Sequence, residues 1–183
     1  MLHNKPNLLY VFADQWRRSA IGFNKQEPVQ TPTMDEFAKN GVVFDHAVSC
    51  TPLCSPARAS LLTGKYSLST SVYTNCKLEA DHMLQPDEIC IGDILKSSGY
   101  ETGYVGKWHL DLPEQNVSTE PVSGARHWDA YTPPGAKRHG LISGTLMVHT
   151  MNIWLHIIGK IHRKWFKWIS GRSSMRRMLY LIS

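Results

Sequence analysis

Short apolar runs alternate with segments of helical spacing over the first 105 residues of the chain. Two of the apolar runs, 7–13 and 101–105, are predicted to be strands. Helices are predicted to start at Pro32 and near Pro56, and a third helix is predicted to pass through Ile91. Strands that alternate with helices favour a mostly parallel sheet with helices packed on its faces. The pattern therefore predicts an α/β fold with a mostly parallel sheet flanked by helices.

The predicted sheet also indicates where a functional site should lie. A further strand is predicted at 42–44, directly after the first helix. In parallel α/β sheets, ligands bind beyond the carboxyl ends of the strands. Asp14 follows the first predicted strand and Lys107 follows the strand at 101–105. These two residues are therefore candidates for a functional role.

Length, hydrophobicity and terminal sequence exclude several classes of protein. The 183 residues suffice for one modest domain, and a hydrophobic fraction of 42% can supply its core, which excludes wholesale disorder. No apolar run reaches the length of a membrane span, and the N-terminus lacks the apolar core of a signal peptide. The expected compartment is the cytoplasm, or the periplasm if the true N-terminus lies upstream.

The four cysteines include no Cys-x-x-Cys pair, which argues against a zinc site and against a disulfide scaffold. Cys50 is expected to be a small buried residue, and Cys76 and Cys90 are expected to be structural. The histidines outside the loop after 101–105 have no metal-ligand spacing and are expected on the surface or in the core. Cys54 remains, and it is the first residue of a sequence motif.

Cys54 begins a segment, 54–65, in which Pro56 and Arg58 follow at intervals of two and a Leu-Thr-Gly-Lys ending closes the motif. This segment resembles the signature of the sulfatase family, which has an alkaline-phosphatase-like α/β fold. In that family a formylglycine-generating enzyme or an anaerobic sulfatase-maturating enzyme oxidises the cysteine to Cα-formylglycine. The resemblance implies that Cys54 is the precursor of the nucleophile and that the maturation enzyme is a partner.

The chemistry of a hydrated aldehyde explains why such a modified residue is useful. Two hydroxyls sit on one carbon: one attacks the sulfur of a sulfate ester and expels the alcohol. The other then loses its proton, so that the aldehyde reforms and inorganic sulfate leaves. A serine in the same place would have to wait for water to attack a hindered anionic centre. The predicted start of a helix at Pro56 adds free backbone N–H groups, which favour a bound sulfate.

The resemblance covers 5–140 and implies a metal site as well. Asp14 matches a ligand of the divalent cation, usually Ca²⁺, with Mg²⁺ or Mn²⁺ as the other candidates, and the modified Cys54 is a further ligand. Many sulfatases have a second aspartate where this chain has Gln15, whose amide oxygen can ligate with one less negative charge. The run from Asp14 to Arg17 is similar to a bacterial branch that includes phosphonate monoester hydrolases. A phosphonate or phosphate ester is therefore the alternative substrate class.

Three further residues match positions that handle the anion in sulfatases. Arg58, one helical turn beyond Cys54, would steady the formylglycine hydrate. Lys107 and His109 fall in a Gly-Lys-Trp-His segment that resembles the family's own. By that resemblance Lys107 binds a sulfate oxygen and His109 hydrogen-bonds the formylglycine hydroxyl. The implied catalytic set is Cys54, Arg58, Lys107 and His109, and the implied substrate is an aryl or carbohydrate sulfate ester.

Charge divides the chain near Gly140. Residues 1–140 carry 13 basic and 15 acidic side chains, whereas residues 141–183 carry seven basic and no acidic ones. One interpretation of this tail is a non-catalytic basic module that binds a membrane surface or nucleic acid. The other is a shifted reading frame, because one added T after the Gly140 codon permits Phe-Asp-Phe-Trp, which resembles sulfatases at this point. We favour the frameshift, under which no nucleic acid is expected as a partner.

The chain is therefore predicted to comprise 5–140, the N-terminal part of a sulfatase domain, and 141–183, a frameshifted basic tail that is not a native domain. Sulfatases place their other metal ligands and a second lysine well downstream of the region matched here. The resemblance consequently implies a sulfuric ester hydrolase of which this chain is a truncated and inactive fragment.

Overall fold

The structure of the protein is a computed structural model. It describes residues 6–77, 82–112, 132, 134–141, 143–147 and 178–182. The chain divides into two units, and each is described by itself. The first unit comprises Met1–Phe12 and Cys50–Ser183, and the second comprises Ala13–Ser49.

The sheet of the first unit contains four described strands: β1 (Leu8–Val11), β2 (Glu101–Lys107), β3 (Ser143–Met147) and β4 (Met178–Ile182). Their order is β1-β4-β2-β3, and every adjacent pair is parallel. The parallel pairing agrees with the mostly parallel sheet predicted from the sequence, but β3 and β4 lie within 141–183, the segment predicted to be a frameshifted tail. Because the strands point the same way, the carboxyl ends of β1 and β2 lie at the same edge of the sheet.

Three α-helices are described: α1 (Pro32–Asn40) in the second unit, and α2 (Cys54–Thr63) and α3 (Ile91–Ser97) in the first. Helix α2 is followed by Gly64, which adopts the left-handed conformation with φ of 69° and donates its N–H to the carbonyl of Ser60. Glycine is favoured there because it has no Cβ to clash. The predicted helices are thus present, with α2 starting two residues before Pro56.

Among the described residues of the first unit, a buried apolar cluster joins α2, β2 and the segment after β2. Tyr104 on β2 packs edge to face against Trp108, with ring centroids 5.3 Å apart. Helix α2 contributes Ala59 and Leu62 to the cluster. The other buried members are Val72, Cys76, Leu84, Cys90, Leu110 and Leu141. This apolar cluster is the main source of stability that the described part of the first unit contains.

A tight turn at 139–141 packs against the start of α3. Gly140 has φ of 75°, and a Cβ there would overlap the backbone of Asp93. Cys90 and Asp93 cap α3 reciprocally: the Cys90 side chain accepts the N–H of Asp93, and the Asp93 carboxylate accepts the N–H of Cys90 at 3.0 Å. The Nδ1 of His139 donates to the carbonyl of Glu88 at 2.9 Å. Close backbone packing therefore fixes this turn.

The second unit is held together by polar contacts, and none of residues 13–49 is buried. Thr31 precedes α1, but its hydroxyl donates to the Asp35 carboxylate at 2.8 Å instead of capping the helix. The same hydroxyl accepts the N–H of Gly22 at 2.8 Å. Arg17 binds Glu27 through two hydrogen bonds of 2.8 and 2.5 Å. This unit depends on ion pairs and turns more than on apolar packing.

Three sequence expectations about local structure differ from the structure. Residues 42–44 are not a strand, and the Val42 and Phe44 side chains are 81% and 77% exposed. Strand β2 extends to Lys107 instead of ending at residue 105. Cys50 is exposed, not buried. No helix among the described residues is both long enough and apolar enough to cross a bilayer.

Candidate active site

Cys54 is the first residue of α2, and its side chain is half-buried. Leu53 precedes the helix in an extended conformation, and its carbonyl accepts the first helical hydrogen bond, from the N–H of Ala57. The amide groups of the first turn have no partner inside the helix, so the positive end of the helix dipole lies at Cys54. A residue in this place is well suited to face an anion.

The side chain of Lys107 meets Cys54 at this helix end. Its Nζ lies 3.4 Å from the Cys54 Sγ. Lys107 is the last residue of β2, and Gly106 before it has φ of 126°. The carboxyl end of a parallel strand thus delivers an ammonium group to the start of α2, at the edge of the sheet where ligands bind in such folds.

Arg58 connects α2 to β2 and to the residue that follows β1. Its side chain is only 2% exposed. One guanidinium nitrogen donates to the hydroxyl of Tyr104 at 3.2 Å and also to the carbonyl of Lys107. The guanidinium carbon lies 4.7 Å from the ring centroid of Phe12, just after β1. Arg58 and Cys54 therefore both contact Lys107, one through its backbone and the other through its side chain.

His109 lies two residues beyond Lys107 and is fully enclosed. Its backbone is left-handed, with φ of 53°, an uncommon conformation for a residue with a Cβ. The hydroxyl of Ser55 donates to the carbonyl of His109 at 2.6 Å. Because Ser55 follows Cys54 directly, this bond ties the residue beside the candidate nucleophile to the His109 backbone. The structure thus brings Cys54, Arg58, Lys107 and His109 into one neighbourhood.

The other three cysteines differ from Cys54 in their surroundings. A hydrogen bond with Ser60, 3.3 Å between sulfur and oxygen, lowers the pKa of the exposed Cys50. Burial raises the pKa of the Cys76 thiol to about 11. Burial also raises the pKa of the Cys90 thiol to about 12. Cys76 and Cys90 are therefore neutral core residues, as expected from the sequence, and neither is a candidate nucleophile.

Asp14 and Gln15, the proposed metal ligands of the sequence analysis, belong to the second unit. Gln15 has a left-handed backbone, with φ of 57°. A carboxylate and a neighbouring amide offer oxygen atoms, which are the donors that Ca²⁺ and Mg²⁺ prefer. The chemistry of this donor pair therefore fits a hard divalent cation.

A second group of ligand-type side chains lies at the start of α3. Potential ligand atoms of Cys90, Asp93 and His139 all lie within 4.8 Å of one another. The reciprocal cap described above already engages Cys90 and Asp93. The positive end of the α3 dipole also disfavours a cation at this place. We interpret this cluster as a helix cap with a packed histidine.

Two residues near Cys54 were missed by the sequence analysis. Ser55 and Tyr104 are both buried, and each donates a hydrogen bond to a backbone carbonyl of the segment 107–109. Ser55 stands at a variable place inside the motif, and Tyr104 lies in the middle of a predicted strand. Nothing in the spacing of either residue signals its contact.

Comparison with known proteins identifies the family. The sulfatase family model matches residues 6–143. The chain is 44% identical over 128 residues to the ulvan-active sulfatase of Formosa agariphila, covering 69% of this chain and 24% of that protein. It is 42% identical over 151 residues to the endo-4-O-sulfatase of Bacteroides thetaiotaomicron, covering 74% of this chain and 30% of that protein. The chain thus spans less than a third of the length of these curated relatives.

Solved structures agree with the sequence relatives. A Bacteroides thetaiotaomicron protein from a study of glycosaminoglycan metabolism is 32% identical, with a TM-score of 0.79 over 97% of this chain and 44% of that one. A Bacteroides fragilis structure is 30% identical, with a TM-score of 0.72 over 97% of this chain and 43% of that one. The predicted alkaline-phosphatase-like α/β fold is confirmed, and the chain belongs to the sulfatase family.

Proposed function

We propose that this chain is the N-terminal part of a sulfuric ester hydrolase whose nucleophile is made from Cys54. The observation that carries the proposal is the 3.4 Å approach of the Lys107 ammonium to the Cys54 sulfur at the start of α2. A positive side chain and a helix N-terminus at one cysteine form a site for an anionic ester. Membership of the sulfatase family supports sulfate as that anion.

Each residue of the site has a distinct role in the proposal. When Cys54 is converted to Cα-formylglycine, its hydrate supplies a nucleophilic hydroxyl and a second hydroxyl on the same carbon. Lys107 holds a sulfate oxygen and offsets its negative charge. His109 donates a hydrogen bond towards the hydroxyl at residue 54. Arg58 is an internal cation that offsets negative charge while its guanidinium holds the Lys107 carbonyl.

The proposed metal ligands are Asp14, Gln15 and the modified Cys54. Asp14 and Gln15 would hold a divalent cation, with Ca²⁺ preferred over Mg²⁺ or Mn²⁺ as in the family. Such a cation stabilises negative charge on the sulfate oxygens. Gln15 contributes no charge, so this pair carries one negative charge instead of two. That difference keeps a phosphonate or phosphate ester as the second candidate substrate.

A carbohydrate sulfate is the substrate class that we favour. The relatives described above include a sulfatase active on ulvan and an endo-4-O-sulfatase. We propose on this basis that the complete protein acts on sulfated sugars, with aryl sulfates as convenient assay substrates. We also propose that 1–183 alone does not turn over, because less than half the length of these relatives is present.

The first experiment asks whether Cys54 is converted. The chain is co-expressed with a formylglycine-generating enzyme, and the tryptic peptide 40–58, which contains both Cys50 and Cys54, is fragmented in the mass spectrometer to locate the change in mass. We expect the thiol to be replaced by the aldehyde at residue 54 and not at Cys50, which serves as the internal control. A residue 54 that remains a thiol with this enzyme, and also with an anaerobic maturating enzyme, would contradict the proposal.

The second experiment tests the reaction and the shifted frame together. The gene is resequenced across the codons for 139–143, and the frame-corrected product is assayed with matched aryl sulfate and aryl phosphonate esters. We expect sulfate hydrolysis that is lost in Cys54→Ala and reduced in Lys107→Ala, and no turnover by 1–183. A higher rate on the phosphonate would favour the second candidate function. Turnover by 1–183 above the Cys54→Ala background would overturn the proposed inactivity of the fragment.

A further inference from the structure

The segment that carries Lys107 and His109 has an unusual backbone. Gly106 and His109 both have positive φ, at 126° and 53°. The carbonyl of Lys107 accepts a hydrogen bond from the Tyr104 hydroxyl at 2.5 Å, and the carbonyl of His109 accepts one from the Ser55 hydroxyl at 2.6 Å. Two buried hydroxyls from different elements therefore hold the two ends of one short segment.

We propose that Ser55 and Tyr104 are positioning residues that form a carbonyl clamp, defined as their two hydrogen bonds to the carbonyls of Lys107 and His109. The clamp fixes the segment 107–109 against α2, so that the Lys107 ammonium stays beside Cys54. This inference deepens the proposed function and rests on it for the roles of Cys54 and Lys107. Its geometry is testable without any turnover.

Tyr104 is held so that its hydroxyl has one available direction. Its ring is buried and packs edge to face on Trp108. The hydroxyl accepts a hydrogen bond from Arg58 at 3.2 Å while it donates to the carbonyl of Lys107. Because acceptance from Arg58 orients the hydroxyl, its proton points at the carbonyl. Removing this oxygen leaves the ring packing intact and deletes one support of Lys107.

Ser55 holds the other end of the segment, at the carbonyl of His109. It is fully buried, and its hydroxyl accepts the N–H of Cys76 at 3.1 Å while it donates to His109. Its own N–H donates to the side-chain oxygen of Asn75 at 3.1 Å. The residue beside Cys54 is thus fixed by three hydrogen bonds. Since His109 has a left-handed backbone, an external support for its carbonyl helps to hold that conformation.

The two hydroxyls affect the position of the Lys107 side chain through the backbone, because the hydrogen bonds described above go to backbone carbonyls. Lys107 has a long flexible stem, so the position of its ammonium depends on where its backbone is held. Loss of either hydroxyl frees part of the segment and lets Nζ move away from Cys54. The expected consequence is a change in the proximity of one amine to one thiol, not a general loss of structure.

Ortho-phthalaldehyde measures that proximity. One molecule condenses with an amine and a nearby thiol to give a fluorescent isoindole, and two waters are released. The full chain is expressed without a maturation enzyme, so that Cys54 stays a thiol. It is treated with the reagent, and peptide mass mapping identifies the bridge between residues 54 and 107. We expect this bridge in the wild type and its absence in Lys107→Met.

Tyr104→Phe and Ser55→Ala are the test variants. Each is expected to lower the rate of the 54–107 bridge about fivefold, the population change that corresponds to one hydrogen bond of about 1 kcal/mol. Tyr100→Phe and Ser67→Ala remove hydroxyls from a second buried tyrosine and a second buried serine of the same unit. These matched controls are expected to keep the wild-type rate. Thermal unfolding midpoints of all variants separate a positioning effect from loss of structure.

The outcomes distinguish the clamp from the proposed site. If the bridge forms at the wild-type rate in Tyr104→Phe and in Ser55→Ala, the clamp is wrong, although the pairing of Lys107 with Cys54 stands. If the wild type gives no 54–107 bridge, the pairing itself is wrong, and the clamp falls with it. If one test variant fails to fold, the other still decides. Equal slowing in the matched controls would also overturn the proposal, since it would show a general loss of packing.

Discussion

Different forces hold the two units of this chain together. In the first unit, the residues around Cys54 are buried and are joined by hydrogen bonds that link α2, β2 and the segment after β2. In the second unit, the segment that carries Asp14 and Gln15 has no buried residue. The comparison indicates that buried hydrogen bonds fix the side chains around Cys54, whereas the second unit depends on exposed polar contacts.

Two arginines illustrate the difference. Arg58 is enclosed, and its guanidinium holds the carbonyl of Lys107 and the hydroxyl of Tyr104. Arg17 pairs with Glu27 through two good hydrogen bonds, but its side chain is 69% exposed. Water and salt weaken such an exposed pair, whereas a buried hydrogen bond keeps its strength. The same residue type therefore fixes geometry in the first unit and only supports a turn in the second.

The largest expected effect comes from truncating one apolar side chain in each unit. Leu62→Ala removes a side chain that is 6% exposed, and the cavity should cost the first unit about 2–5 kcal/mol. Phe37→Ala removes a side chain that is 73% exposed in the second unit and should cost less than about 0.5 kcal/mol. Urea unfolding with hydrogen exchange read on peptides from each unit measures both. Equal costs would show that the two units are packed alike.

A smaller effect is expected from a matched pair of glycine substitutions. In Gly140→Ala, a Cβ would overlap the Asp93 backbone at a residue with φ of 75°, so a loss of about 2 kcal/mol or more is expected. In Gly41→Ala, φ is −121° and the nearest atom, the Phe37 carbonyl oxygen, lies 3.2 Å away. That change should stay within about 0.5 kcal/mol. The same urea titrations measure both changes in the free energy of unfolding. A Gly140→Ala variant as stable as the wild type would contradict the tight turn.

Local chemistry explains what the sequence could predict. The start of α1 follows from Pro32, whose missing N–H and fixed φ suit the first helical position. The motif that begins at Cys54 indicated a helix start, and α2 begins at that residue. The carboxyl end of β2 located Lys107 because a parallel sheet collects its strand ends at one edge. In each case the information lies within a few neighbouring residues.

Burial and distant contacts explain what the sequence could not predict. Residues 42–44 have strand-forming side chains, but a strand also needs a neighbour to accept its hydrogen bonds. Cysteine is usually a buried residue type, but Cys50 is exposed because burial depends on the path of the whole chain. The bond from Ser55 to His109 joins residues 54 positions apart. No pattern in a single sequence reports such a pair.

An alkaline titration should weaken the first unit. The pKa of the buried Cys90 is raised from 9.0 to about 12, so the unfolded thiol loses its proton at a lower pH than the folded one. The stability contributed by the neutral thiol is complete below pH 9 and is lost as pH rises towards 12. The expected loss is no more than about 1 kcal/mol for each pH unit above 9. Urea unfolding of the wild type and of Cys90→Ser measures it.

The serine variant is the informative control because it keeps a side chain that can cap α3 but does not ionise in this range. Its stability should fall less steeply above pH 9 than that of the wild type. Cys50→Ala, which alters an exposed cysteine, should keep the wild-type slope. Identical slopes in the wild type and in Cys90→Ser would mean that the thiol is not enclosed as the structure indicates.

The smallest effect is an acid titration in the second unit, with the opposite sign. Hydrogen bonds from Arg17 and Ser19 lower the pKa of Glu27 from 4.5 to about 2. Its contribution to stability is therefore complete above pH 4.5 and is lost as pH falls towards 2. A carbon-13 titration of the Glu27 carboxyl should give the lowered midpoint, and Arg17→Gln should return it towards 4.5. Because the pair is exposed, added salt should also raise the midpoint. If the Glu27 midpoint changes neither with added salt nor in Arg17→Gln, the ion pair between Arg17 and Glu27 does not stabilise this unit.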